Sequence, residues 1–150
     1  MIQLASFSIN TTASIDGCFH YLSNMKNFGN WFPEVIKIVE ANRDEIGLGK
    51  QYVETVKVPG RGLNQMTLTV KEHETPSKFA TEGDFKPLRP RMQIKISENS
   101  DQTTRIDWSF YSRNEGKLFG VVMPLFKYVM GKRAKIASFE LEKVLASIDG

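Results

Sequence analysis

Acid–base chemistry inside a protein needs a carboxylate or histidine held in an apolar pocket, where burial moves its pKa toward neutrality. In this chain of 150 residues the best-placed carboxylate is Glu54, in the middle of the segment Gln51–Val58. Tyr52, Val56 and Val58 share its alternate positions and predict that it points inward. Val53 and Thr55 argue almost as well for the opposite phase. Tyr52 stands beside it as a proton donor, and Arg61 or Arg105 would stabilise negative charge developing on a substrate oxygen. Arg105 and Asp107 flank Trp108 at alternate positions, so this pair is expected first as an ion pair on an outer face. Glu82 and Asp84 close a short strand near a proline-rich loop, where solvation suffices as their role.

Other chemistries are poorly served. The histidines, His20 and His73, are far apart in sequence, and Cys18 lies two residues from His20 in a helical pattern. Residues two apart on a helix point to different faces, so no metal site is expected. Cys18 sits among apolar neighbours and is expected to be a packed, inert thiol. Gly47-Leu48-Gly49 and Pro59-Gly60-Arg61-Gly62 lack the spacing of a phosphate or dinucleotide loop and serve turns instead. No cofactor and no nucleic-acid partner are expected.

Hydrophobic residues make up 41% of the chain and charged residues 25%, which excludes a disordered or fibrous protein. The length suits one domain with a sizeable core, spanning 1–150. One cysteine excludes an intramolecular disulfide framework and fits a reducing compartment. No apolar run approaches the roughly 20 residues that cross a bilayer, and Met1–Ser8 lacks the pattern of a secretory signal. A soluble, cytoplasmic protein is expected. Charge is uneven: residues 1–75 hold 7 Lys/Arg against 8 Asp/Glu, and residues 76–150 hold 13 against 9. Lys86, Arg89 and Arg91 form one basic group and Lys127, Lys132, Arg133 and Lys135 another. Short basic groups of this kind ordinarily solvate a loop or a helix face, but they would also attract an acidic ligand or an anionic membrane surface.

The elements that must position these residues follow from periodicity. Ile2–Asn10 alternates as a half-buried strand, with Phe7 and Ile9 on one side. Ser14 or Thr12 then caps a short helix carrying Ile15, Phe19 and Leu22. Asn27–Pro33 is an aromatic-rich connection with room for one more helical turn. Strand patterns follow at Glu34–Ala41, Gln51–Val58, Leu63–His73, Lys78–Asp84, the Met92-Ile94-Ile96 segment and Thr104–Tyr111. Pro59–Gly62 joins two of them as an antiparallel pair. From Leu118 the period becomes helical, along Leu118, Val122, Leu125, Val129, Ile136 and Phe139 and also along Ala134, Ala137, Leu141, Val144, Leu145 and Ile148. Pro124 marks the start of this helix or a kink in it.

Only that long helix can cover one face of so large an antiparallel sheet. A curved sheet wrapped on a single helix leaves space, and a space of that kind is a ligand site. Its expected lining is Phe7, Trp31, Phe32, Glu54, Val56, Met66, Leu68, Phe79, Met92, Ile94, Trp108 and Phe110 from the sheet side. Val122, Phe126 and Val129 are expected from the helix, with Phe139 as a further aromatic.

The opening strand with Ala13-Ser14-Ile15-Asp16, the Trp31-Phe32-Pro33-Glu34-Val35 element, Gly47-Leu48-Gly49 and the final Phe139-Glu140-Leu141-Glu142-Lys143-Val144-Leu145 carry a resemblance. Across nearly the whole chain the sequence resembles the START-like (SRPBCC) superfamily, and within it the polyketide cyclase/dehydrase and lipid-transport group. The resemblance implies an α+β helix-grip fold. About seven antiparallel strands would wrap around a long C-terminal helix, with two short helices after the first strand. It also implies a deep apolar cavity, and it places Arg61, Lys86, Arg89, Arg91 and Lys117 together as a basic rim. The superfamily spans carriers and enzymes, and fold does not choose between them. Two functions follow. One is binding or transport of a hydrophobic lipid, quinone or polyketide-like molecule, with transient docking on anionic membrane. The other is a cyclase, aromatase or dehydrase using a cavity acid or base. Oligomeric state is not legible.

Overall fold

The computed structural model describes residues 1–148; the last two residues of the expected 1–150 domain lie outside the described residues. Strand β1 (Ile2–Thr11) leads to helix α1 (Ile15–Leu22) and a 3₁₀ helix (Met25–Asn30). Strands β2 (Val35–Glu40), β3 (Gln51–Val58), β4 (Gly62–Glu74), β5 (Lys78–Gly83), β6 (Pro90–Glu98) and β7 (Thr104–Ser112) follow, and helix α2 (Lys117–Ala146) ends the order. The strands form one seven-stranded antiparallel sheet in the order β1-β7-β6-β5-β4-β3-β2. Irregular register between Gln3 and Ala5, Val35 and Lys37, and Val70 and Glu72 marks bulges that help bend it. This is the helix-grip architecture.

Local chemistry explains the elements. Ser14 caps α1, its hydroxyl accepting from the Gly17 N–H at 3.0 Å. On β3 the residues Tyr52, Glu54, Val56 and Val58 are buried, so the inward phase wins over that of Val53 and Thr55. On β7 Thr104, Ile106 and Trp108 are buried, while Arg105 and Asp107 pair on the outer face at 3.1 Å. The loop from β2 to β3 closes on Lys50, which is 1% exposed. Its ammonium donates to the carbonyls of Asn42 at 2.9 Å and Asp44 at 2.5 Å and pairs with Glu40 at 2.9 Å. Three acceptors for three donors make that burial tolerable.

Helix α2 corrects one expectation. Its buried face is Phe119, Phe126, Met130, Ala134, Ala137, Leu141 and Leu145. The stripe through Leu118, Val122, Leu125, Ile136 and Phe139 faces solvent, and Val129 is only half-buried. Both stripes obey the helical period. The face carrying Ala134 and Ala137 goes inward because small side chains let the helix axis come close to β1, its main sheet neighbour. Pro124 lies within the helix and on its exposed side, so its missing N–H leaves only the Gly120 carbonyl without a helical partner.

Candidate functional site

Between the sheet and the first half of α2 lies a cavity. Its floor is the inward face of the central strands: Glu54, Val56 and Val58 of β3, Met66 and Leu68 of β4, Thr81 and Gly83 of β5, Pro90 and Met92 of β6, and Phe110 of β7. Phe126, Met130 and Arg133 of α2 form the roof. Met25 and Phe28 of the 3₁₀ helix, with Phe32 and Val35, close one end. Lys57 and Pro59 at the β3–β4 hairpin, with Phe85 and Leu88 of the following proline loop, close the other. Gly83 keeps the floor low: a Cβ there would meet Met66 Sδ at 2.7 Å and Pro90 Cγ at 3.0 Å.

The water-accessible space inside is about 60 Å³. That is small against the ~300–1,000 Å³ of a typical small-molecule pocket. A larger ligand enters only if side chains move. Met66, Met92 and Met130 line the space and are the side chains that adapt most easily.

Besides Lys57 at the hairpin end, two ionisable groups, Glu54 and Arg133, look into this apolar space. Glu54 is 6% exposed and has no hydrogen bond or ion pair among the described residues. Burial pushes its carboxyl up to about 7, and the charge of Arg133 only partly opposes that. Burial also pulls the Arg133 guanidinium down, while Glu34 and Glu54 support its charge. Glu34 is exposed and Glu54 is not, so Arg133 stands between solvent and the cavity interior. Near neutral pH Glu54 is divided between acid and carboxylate. It can donate to a ligand oxygen in one form and take a proton in the other.

Of the residues expected to line a cavity, Phe32, Glu54, Val56, Met66, Leu68, Met92, Phe110 and Phe126 are brought together here. Phe7, Trp31, Phe79, Ile94 and Trp108 are not; they fill the core at the far end. Phe7 stacks on Trp108 at 5.1 Å, and Trp31 meets Phe28 edge-on at 5.0 Å, leaving no room. Phe79 and Ile94 are paired across β5 and β6 and seal the sheet below α1. Val122 and Phe139 point to solvent, 39% and 57% exposed, and Val129 lies beside the lining rather than in it. Tyr52 is buried against the Met25 backbone outside the cavity, and burial raises its pKa. Arg105 is on the outer face, away from any role at Glu54.

The rim is partly assembled. Arg61 at the hairpin tip lies over the Phe85 ring at 5.8 Å, joining hairpin to proline loop. That loop is tied to the approach of α2, with Asn114 donating to the Pro87 carbonyl at 2.7 Å and Ser112 to that of Leu88 at 2.6 Å. Arg61, Lys86, Arg89 and Lys117 are exposed around this end. Arg91 is not one of them. It points to the outer face, where Glu82 at 2.6 Å and Glu72 at 3.2 Å hold it.

Sequence reasoning misses Met25, Phe28, Val35, Phe85, Leu88, Met130 and above all Arg133. The last two had a signal. Counting back from Leu141 through Ala137 and Ala134 by helical spacing reaches Met130 and Phe126, with Arg133 beside them. Cys18 is buried, and burial pushes its thiol up to about 11, the condition of an inert side chain. Among the described residues no group of three or more His, Cys, Asp or Glu could hold a metal ion. No helix among them is long and apolar enough to cross a membrane.

A family model described as polyketide cyclase/dehydrase and lipid transport matches residues 4–145. No curated protein matches the chain in sequence. Solved structures with a similar backbone include a START superfamily protein from Mycobacterium smegmatis, with a TM-score of 0.73 and 15% identity, covering 94% of this chain and 95% of that one. A protein from Thermus thermophilus gives 0.73 at 13% identity, covering 96% and 99%. The di-domain ARO/CYC BexL of the BE-7585A biosynthetic pathway gives 0.68 at 12% identity, covering 96% of this chain and 47% of that one. At these identities the likeness is one of fold.

Proposed function

Because the chain belongs to the polyketide cyclase/dehydrase and lipid transport family, we propose that it binds, and carries, a hydrophobic small molecule between sheet and long helix. The observation behind this reading is the lining: an apolar cavity wall interrupted inside by Glu54 and Arg133. Apolar surface drives binding by leaving water, and a few polar groups fix orientation. The cargo is accordingly a molecule with an apolar body, such as a lipid, quinone or polyketide-like compound. It carries one oxygen-bearing end that meets Arg133 and Glu54. Its proposed location is the cytoplasm, where a lone thiol such as Cys18 stays reduced.

A second reading rests on Glu54 itself. A carboxyl near pKa 7 inside an apolar cavity suits a general base. In a cyclase or dehydrase it would take a proton from carbon next to a substrate carbonyl, and Arg133 would stabilise the enolate oxygen. The named chemistry of BexL belongs to this class.

Native mass spectrometry of freshly purified protein, together with titration of an apolar fluorescent probe, tests carriage. A co-purifying apolar ligand, or a probe that binds one to one and is weakened by Met130→Trp, supports it. Protein that is empty and binds no apolar probe refutes it. Turnover of a polyketone substrate that Glu54→Gln abolishes, without loss of binding, establishes the second reading instead.

A further inference from the structure

From Lys117 to Phe139 helix α2 carries Lys117, Lys127, Lys132, Arg133 and Lys135 and no Asp or Glu at all. Its outward face is apolar. Leu118 is 90% exposed, Val121 79%, Leu125 50% and Tyr128 62%, and beyond Lys132 come Ile136 at 51% and Phe139 at 57%. These positions recur every three or four residues, along one side of the helix and apart from the stripe packed on the sheet. At 1.5 Å per residue the row is about 32 Å long. A helix on a protein surface ordinarily turns its polar residues outward; a continuous exposed apolar row marks something that docks there.

We infer that this face of α2 docks the protein on an anionic lipid surface, the helix lying flat with Leu118, Val121, Leu125 and Tyr128 in the headgroup region. The charge pattern selects lipid. A second copy of the chain would bring the same cations against each other with no anion on this stretch of either helix to answer them. A leaflet of anionic lipid supplies the missing negative charge all along the row. Lys132, the polar residue within the row, has its ammonium 4.6 Å from the centre of the Tyr128 ring. Its alkyl stem and that ring make an interfacial pair, apolar below and charged above. The same helix turns Phe126, Met130 and Arg133 into the cavity, so docking brings the cavity roof to the membrane. The inference does not depend on what the cavity holds.

Co-sedimentation of the full chain with vesicles tests it. Mixed phosphatidylcholine–phosphatidylglycerol vesicles should retain the protein, pure phosphatidylcholine should retain far less, and added salt should release it. The Val121→Glu/Leu125→Glu pair should lower partitioning roughly tenfold or more. Lys132→Glu/Lys135→Glu should lower it about fivefold per charge removed. Leu118→Asn, at the most exposed position, provides a milder variant with the same direction, and thermal unfolding should match that of the parent in every case. Failure to bind anionic vesicles, or binding indifferent to all three changes, overturns the inference. So does a concentration-dependent dimer that Val121→Glu/Leu125→Glu dissociates, since the face would then belong to a second copy.

Discussion

Glu54 on β3 and Arg133 on α2 look into one cavity from opposite walls without meeting as an ion pair among the described residues. Apart, each bears a desolvation cost that contact would relieve, and both pKa values are displaced accordingly. The arrangement leaves space between two complementary polar groups. A ligand oxygen placed there can accept from the guanidinium and exchange a hydrogen bond with the carboxyl.

The first expected outcome is a pH-dependent stability carried by Glu54. Its folded pKa of about 7 is above the ordinary value of 4.5. The folded state therefore binds the proton more tightly, and the linked stability is fully present below the unfolded pKa. It is lost as pH rises through the folded one. At ~1.4 kcal/mol per unit the full loss is about 3 kcal/mol. Chemical denaturation of the parent and of Glu54→Gln from pH 4 to 8.5 (about the range that spans both values) checks it. The parent should lose stability relative to the variant between about pH 4.5 and 7. Parallel curves would remove Glu54 from the cavity.

Arg133→Met should push the Glu54 pKa above its present position, because Arg133 is the charge that holds it down. Carboxyl carbon titration by NMR reads the shift directly. The same variant should weaken a carboxylated apolar probe more than an uncharged one. Equal weakening would make Arg133 a packing residue.

How much of this was legible depended on whether periodicity had one solution or two. Tyr52, Glu54, Val56 and Val58 alternate on β3, and burial of the set decides a phase that the pattern already favours. The turn at Pro59–Gly62 and the strand from Thr104 are equally plain. From Leu118 to Met130 the helix is apolar on nearly every side, Lys127 excepted, so a 3.6-residue period fits two faces. The alanines at 134 and 137 decide between them by how closely they let α2 approach the sheet, which is a packing fact. Phe85 and Leu88 reach the cavity from a loop with no period. Arg133 sits among lysines that all face outward, and its different role comes from the one direction in which it points.

Trp108 anchors the far end of the core at 0% exposure, stacked between Phe7 at 5.1 Å and Phe110 at 6.0 Å. Trp108→Ala should cost about 3–5 kcal/mol in urea unfolding, the range for large aromatic truncations. Because Trp108 does not line the cavity, binding of an apolar probe at low temperature should fall only with the folded fraction. A selective loss of binding would extend the site to that end.

Gly83 offers the sharpest test of where a ligand sits. An added methyl would lie 2.7 Å from Met66 Sδ, 3.0 Å from Pro90 Cγ and 3.3 Å from Leu68 Cδ2. The proline ring cannot yield, so the Met66 thioether must swing, and the space it can take is the cavity itself. Gly83→Ala should therefore narrow the pocket from inside at an overpacking cost of about 1–3 kcal/mol. Probe affinity, measured well below the unfolding midpoint, should drop. Met66→Ala removes the side chain that was displaced, so in the double variant Gly83→Ala/Met66→Ala the pocket reopens and affinity should recover, although stability does not. That recovery separates occlusion from damage: a variant that binds poorly because it is distorted gains nothing from losing a second core side chain. Unchanged affinity in Gly83→Ala would place the ligand elsewhere than over β4, β5 and β6.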